Sequence, residues 1–169
     1  MKMTELFTEL LERETHRCRA ALEQVPEGRN DWKPHDRSMQ LGYLATLVAT
    51  MPSWVAMTVD QDELDLDPPG GSTYRPPEWT SRADLLKALD ESAELGRRAL
   101  AGTTDEHLHT PWKLLVGGRV VMEAPRHEVL ADTFGHLAHH RGQLTVYLRL
   151  NEAKVPSIYG PSADEPAFG

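Results

Sequence analysis

Cysteine is nearly absent from this chain, and its scarcity limits how the fold can be stabilised. The single cysteine, Cys18, excludes a disulfide within the chain and fits a reducing cytoplasm, which is the location we predict. The chain also lacks a run of about 18 apolar residues and an apolar segment near its N-terminus. We therefore predict neither a membrane span nor a signal peptide.

Clusters of basic residues are missing as well. Lys and Arg together number 18 against 26 Asp and Glu, which gives a formal net charge of -8. Because contact with phosphates requires clustered Lys and Arg, we predict no nucleic-acid partner. The acidic run at residues 60–67 indicates a solvated loop, since it lacks the glycine and glutamate spacing of a calcium-binding loop.

Apolar residues make up 40% of the sequence, which is enough for one globular domain spanning residues 1–169. Four segments have helical periodicity and cover about 4–24, 39–59, 80–101 and 125–151. Pro52 lies inside the second segment and should kink it. Ser81 and Asp84 have the spacing of a capping box at the start of the third.

A short hairpin is predicted before the last helix. Gly117 and Gly118 separate two β-branched runs within residues 112–122, which is a common hairpin pattern. The segments and the hairpin together predict an all-α fold, namely a four-helix bundle with a small hairpin preceding its last helix.

The last helix carries three histidines in the stretch GHLAHHRGQL, residues 135–144. His136 and His140 are four residues apart and share one side of the helix, whereas His139 should point to solvent. This spacing lets one divalent metal ion bind two imidazoles. The competing interpretation is a partly buried, hydrogen-bonded pair. A metal site would also need a third ligand, for which the nearby Asp132 is poorly placed.

Small residues form a second stripe on the same helix, and two glycines inside a helix cost about 1 kcal/mol each. Close approach of another helix would offset that cost. We favour a helix of the same bundle over one from a second subunit, and a homodimer remains the alternative. The stripe consists of Ala131, Gly135, Ala138, Gly142 and Thr145.

Arg141 projects toward the apolar side of this helix and needs a partner for its charge. Asp164 or Glu165 of the tail could supply it, or the side chain could extend to the bundle end. The tail itself is predicted to pack back on the bundle with Ile158 and Tyr159 buried.

Three stretches resemble the DinB family: HLAHHRGQLTVYLRL, the following VPSIYGPSADE, and SMQLGYLATLVATMPSW on the second helix. The resemblance implies an up-down-down-up four-helix bundle, frequent dimerisation, and nickel or zinc bound by three histidines. Two of those histidines correspond to His136 and His140. In relatives of known activity, the metal activates a low-molecular-weight thiol for transfer or isomerisation.

The third histidine of that pattern is replaced here. In LATLVATMPSW, residues 44–54, Leu47 stands where similar chains carry the histidine of the second helix. A leucine side chain has no atom that can bind a metal ion. The substitution therefore favours a weakened or absent metal site over an intact one.

Three functions stay open at this point. The first is a metal-dependent enzyme of the thiol-transferase or hydrolase type, with nickel or zinc on His136 and His140. Its pocket, lined by Leu47, Tyr147 and Thr133, would take a small molecule or low-molecular-weight thiol. The second is a metal-free small-molecule-binding protein in which one histidine is a general base. The third is a stress-related protein without catalysis whose functional unit is the dimer.

Overall fold

The computed structural model describes residues 1–71 and 79–166. Its helices are α1 (Met3–Leu22), α2 (Leu41–Thr50), α3 (Trp54–Asp60), α4 (Arg82–Gly102), α5 (Asp105–Leu108) and α6 (Arg126–Leu150). A 3-10 turn, Met51–Ser53, joins α2 to α3, and the strands are β1 (Glu63–Asp65), β2 (Pro111–Val116) and β3 (Arg119–Pro125).

The start of α4 confirms the capping box predicted from the sequence. The Ser81 hydroxyl accepts a hydrogen bond from the Asp84 amide, and the Asp84 carboxylate accepts from the Ser81 amide at 3.0 Å. Hydrogen bonds from the Thr80 and Ser81 amides lower the pKa of Asp84 to about 2. The carboxylate is therefore ionised at neutral pH and satisfies amides that the helix itself leaves unpaired.

The second predicted helix is interrupted at Pro52, as expected from its missing amide hydrogen. The chain forms a 3-10 turn there and continues as α3. The Thr50 carbonyl accepts hydrogen bonds from the Ser53 and Ser92 hydroxyls, each at 2.7 Å. Side chains thus replace the helical hydrogen bonds lost at the break.

The all-α prediction is wrong, because the chain also forms a three-stranded mixed sheet of order β1-β2-β3. The predicted hairpin is present as β2 and β3, turning through Gly117 and Gly118, which both have positive φ. Strand β1 pairs in parallel with β2, with Leu64 opposite Leu114. It lies in the acidic run that we interpreted as a loop. A three-residue strand is too short to show a recognisable periodicity.

The helices enclose an apolar core. Phe7 stacks on Phe134, and seven residues further along each helix Glu14 pairs with Arg141. Helices α1 and α6 therefore run parallel. The segment 41–60 is apolar enough to cross a membrane by composition, but 61% of its most apolar stretch is buried. It is therefore a core segment of this fold. Fully buried side chains include Leu11, Leu22, Leu41, Leu44, Leu85, Leu89, Leu137, Leu144 and Leu148.

The small-residue stripe on α6 is open, which contradicts the packing that we favoured within the bundle. A Cβ atom added at Gly135 or Gly142 would meet no other atom within 4 Å. Close helix approach occurs instead at Gly96, where an added Cβ would lie 3.0 Å from Leu11 Cδ2 and from the Pro52 carbonyl oxygen. That a second subunit covers the stripe stays a prediction.

Gly142→Ala should raise the free energy of unfolding by about 1 kcal/mol, because alanine favours the helix and its methyl group meets nothing. Urea denaturation at several protein concentrations measures this. Gly96→Ala is the matched control and should destabilise the fold by overpacking. A Gly142→Ala variant that is less stable and dissociates from a dimer would show that a second copy packs on the stripe.

Arg141 is 1% exposed, and its partner is Glu14 of α1, with Arg141 Nη1 2.6 Å from Glu14 Oε2. Neither proposed tail carboxylate reaches it, because Asp164 pairs with Arg149 and Glu165 with Lys154. The sequence pattern had no means of selecting Glu14, which lies 127 residues away in the chain.

The tail packs back on the helices, but not in the way we predicted. Ile158 is half-buried against the core, whereas Tyr159 is 64% exposed rather than buried. Only its hydroxyl reaches inward, accepting a hydrogen bond from Arg141 and donating one to Glu14 at 3.4 Å. The Arg17 guanidinium lies 4.2 Å from the ring centroid. The contacts of Tyr159 with the helices are therefore made by its hydroxyl group and by the face of its ring.

Candidate functional site

Two contacts fix the register between the second helical segment and α6. The Trp54 ring lies 5.5 Å from the His136 ring, and the Tyr147 hydroxyl donates to the Met39 carbonyl at 3.1 Å. The two segments therefore run antiparallel. Between these contacts Leu47 lies roughly level with His140, half-buried and packed against the core.

The two histidines that are four apart make direct contact. His136 Nε2 lies 2.9 Å from His140 Nε2, and the ring centroids are 4.6 Å apart. His140 is only 9% exposed, whereas His136 is exposed. The His136 ring therefore faces solvent, whereas the His140 ring is buried against the other helices. His139 is exposed, as predicted, with its ring 5.3 Å from that of His140.

A third side chain, Gln143, extends this arrangement over about two turns of α6. Its Oε1 lies 2.8 Å from His140 Nδ1, so both nitrogens of the His140 ring are engaged. Our sequence analysis did not single out Gln143. Its position three residues after His140 was the available signal, because residues three apart are neighbours on a helix.

A positive charge is disfavoured on His136, the exposed ring of the pair. Burial, followed by the neighbouring His140 and His139 rings, lowers the pKa of His136 below its usual value. A positive charge on His136 would lose solvation and would lie next to other histidine rings. His136 is therefore mainly neutral at pH 7, with one nitrogen free to accept a proton.

Comparison with known proteins identifies the family of this chain. The sequence profile of the DinB superfamily matches residues 10–144, from α1 to the middle of α6. The chain belongs to the DinB superfamily. The resemblance noted in the sequence is thereby confirmed.

Solved structures of DinB-like proteins share the fold. One from Bacillus cereus ATCC 10987 is 23% identical, with a TM-score of 0.69 over 92% of this chain and 97% of its own. YjoA from Bacillus subtilis is 17% identical, with a TM-score of 0.68 over 89% of this chain and 96% of its own. No curated protein matches the sequence significantly. At these identities the likeness concerns the fold.

The donor set of this DinB-superfamily protein does not fit the three-histidine metal centre that the resemblance implied. Across residues 1–71 and 79–166, no group of three or more His, Cys, Asp or Glu side chains is arranged to hold a metal ion. His136 and His140 supply two imidazoles, and Leu47 supplies an aliphatic side chain at the level where the third is expected. A zinc site in proteins normally has at least three protein ligands.

The other residues predicted to line a pocket have their polar atoms engaged. The buried Tyr147 donates to the Met39 carbonyl, and the buried Thr133 donates to the Val129 carbonyl at 2.9 Å. Each hydroxyl has therefore used its hydrogen and could only accept a hydrogen bond from a ligand, and the part of both residues in a pocket stays a prediction. Trp54, which the sequence analysis did not assign to the site, lies directly against His136.

Proposed function

We propose that this DinB-superfamily protein binds a small molecule beside His136 and acts on it by acid–base chemistry that needs no metal ion. The contact between His136 Nε2 and His140 Nε2 at 2.9 Å carries this proposal. At that distance one imidazole can donate its ring N–H to the lone pair of the other, so the pair can take up, hold and release a proton.

The surroundings of the pair support the same chemistry. Trp54 places an aromatic ring against His136, which favours an apolar or planar ligand. Burial lowers the pKa of His136, so this ring is available in its neutral form as a general base at physiological pH. The substrate class we propose is a small, weakly acidic compound, of which a low-molecular-weight thiol is one example.

A metal-dependent thiol transferase or hydrolase is the alternative. It requires nickel or zinc and a third donor beside His136 and His140. A homodimer and a cytoplasmic location remain predictions. The open stripe around Gly135 and Gly142 favours the dimer, because it leaves a flat helix face onto which a second α6 would fit.

Leu47→His should convert the pair into a metal site, since it restores the third imidazole at the level of His140. We expect about one equivalent of nickel or zinc per chain in the variant and almost none in the wild type. The measurement is metal content by mass spectrometry on protein purified without a histidine tag, followed by titration calorimetry with each metal.

Leu47→Gln is the matched control, because it adds a polar side chain of similar size that binds metals poorly. It should behave as the wild type does. A wild-type protein that retains about one equivalent of metal would overturn the proposed function. If Leu47→His gains no metal, Leu47 does not face the histidine pair, and the register argued here is wrong.

A further inference from the structure

The outer strand of the sheet, β3, exposes apolar side chains. It lies at one end of the order β1-β2-β3, so among the described residues no strand pairs with its outer edge. Val120, Val121 and Met122 are 47%, 50% and 36% exposed. Edge strands of soluble proteins usually carry charges or a covering element, because their unpaired main-chain groups can bond to another chain. The middle of β3 has neither a charge nor a proline.

The two charged residues of β3 flank these apolar side chains. Arg119 and Glu123 are both exposed, and neither forms an ion pair with any residue in 1–71 or 79–166. Lys113 lies opposite Glu123 on β2 and still makes no ion pair with it. Both charges of β3 are therefore available to a partner along the outer edge.

The sequence of β3 is complementary to itself. An antiparallel pair of β3 strands with its two-fold axis at Val121 places each Arg119 opposite the partner's Glu123. Val120 then lies opposite the partner's Met122. Opposite charges directly across two strands attract, whereas a parallel alignment in the same register would place like charges opposite each other. The charge pattern therefore specifies a second copy of this chain as the partner, in the antiparallel orientation.

We propose that two copies of this chain associate through β3, which joins their three-stranded sheets into one continuous sheet. Val121 has no partner on β2, because the register shifts by one residue beside it, and it would lie opposite its own copy at the axis. The interface has an apolar centre and charged ends, as is usual for interfaces between proteins. It is separate from the small-residue stripe on α6 and does not depend on the proposed function.

Charge reversal tests the pairing, with sedimentation analysis of the full-length protein over a range of concentrations. A strand of seven residues makes a small interface, so we expect the association to depend on concentration. Arg119→Glu places like charges opposite each other twice and should raise the dissociation constant about 10-fold, as should Glu123→Arg. Both residues are exposed, so neither variant should lose its fold, which circular dichroism checks.

Two combinations of these variants separate pairing in this register from a general effect of charge. The double variant Arg119→Glu with Glu123→Arg exchanges the two charges and should restore the wild-type association. An equimolar mixture of the single variants should form a heterodimer, because one strand then carries two negative charges and the other two positive charges. Arg37→Glu makes the same change of charge on an exposed loop residue before α2 and should leave the association unchanged.

The outcomes distinguish the β3 edge from the α6 stripe. If copies associate through both surfaces, Arg119→Glu should halve the mass of the assembly. The proposal is overturned if the wild type stays monomeric up to about 1 mM. It is also overturned if Arg119→Glu leaves the association unchanged, which would place the contact elsewhere, or if the charge exchange in the double variant fails to restore it.

Discussion

Glu14→Ala should lower the free energy of unfolding by about 3–5 kcal/mol, because it leaves the charge of Arg141 buried without its partner. Arg141 is 1% exposed and Glu14 is 5% exposed, and their charged atoms lie 2.6 Å apart. The remaining hydrogen bonds of Arg141, to the Glu14 carbonyl and Cys18 Sγ, each at 3.5 Å, and to the Tyr159 hydroxyl, are to neutral groups. Burial raises the pKa of the Cys18 thiol to about 11, so this sulfur carries no compensating charge at neutral pH.

Urea denaturation of the variant measures the loss, and the same helix provides the control. Glu12 pairs with Arg97, but the two side chains are 48% and 38% exposed, so Glu12→Ala should cost less than about 1 kcal/mol. The double variant Glu14→Leu with Arg141→Met should regain much of the stability, because apolar residues can replace a buried ion pair. Equal losses for Glu14→Ala and Glu12→Ala would contradict the importance of burial here.

Arg126→Met should cost about 3–4 kcal/mol, because one buried guanidinium joins three parts of the fold. Arg126 begins α6, is 2% exposed, and donates to the Gln61 carbonyl before β1 at 3.0 Å. It also donates to the Thr110 hydroxyl at 2.6 Å and to the Pro111 carbonyl of β2 at 2.7 Å. Methionine fills a similar volume but leaves these oxygens without a donor.

Hydrogen exchange shows which part of the fold Arg126→Met destabilises, in addition to how much stability is lost. The β1–β2 amide hydrogens, such as that of Leu66 bonded to the Leu115 carbonyl, should exchange faster in Arg126→Met. Asp62→Asn serves as the control. Asp62 also pairs with Arg126, but its side chain is 94% exposed, so its loss should cost under about 1 kcal/mol. If the two variants lose equal stability, the surface ion pair rather than the buried hydrogen bonds holds the sheet.

The largest expected effects on stability thus involve two arginines on α6 whose partners could not be predicted from the sequence. For Arg141 we considered the tail carboxylates, which are nearer in sequence, and the partner is Glu14 on α1. For Arg126 we made no prediction. Ion pairs between helices depend on how the helices are rotated and shifted against each other, and a helical repeat in one sequence carries no such information.

Features that depend on residues close together in the sequence were predicted correctly. The apolar periodicity predicted the long helices to within a few residues, Ser81 and Asp84 predicted the start of α4, and Pro52 predicted the break before α3. Each of these features is set by residues within about one turn of one another. Strand β1 was missed because it is held by pairing with β2, about fifty residues later in the chain.

At the site, the chemical groups that α6 carries could be identified from the amino-acid sequence. The four-residue spacing of His136 and His140 places their rings together on any helix, and the leucine at position 47 removes a metal-binding atom whatever the packing. The sequence did not reveal that Leu47 lies at the level of His140, that the Trp54 ring contacts His136, or that the α6 glycines face open space; these follow from the folded arrangement. The physical reason is that side-chain identity and helical spacing are local properties. Register between helices arises from the packing of the whole core.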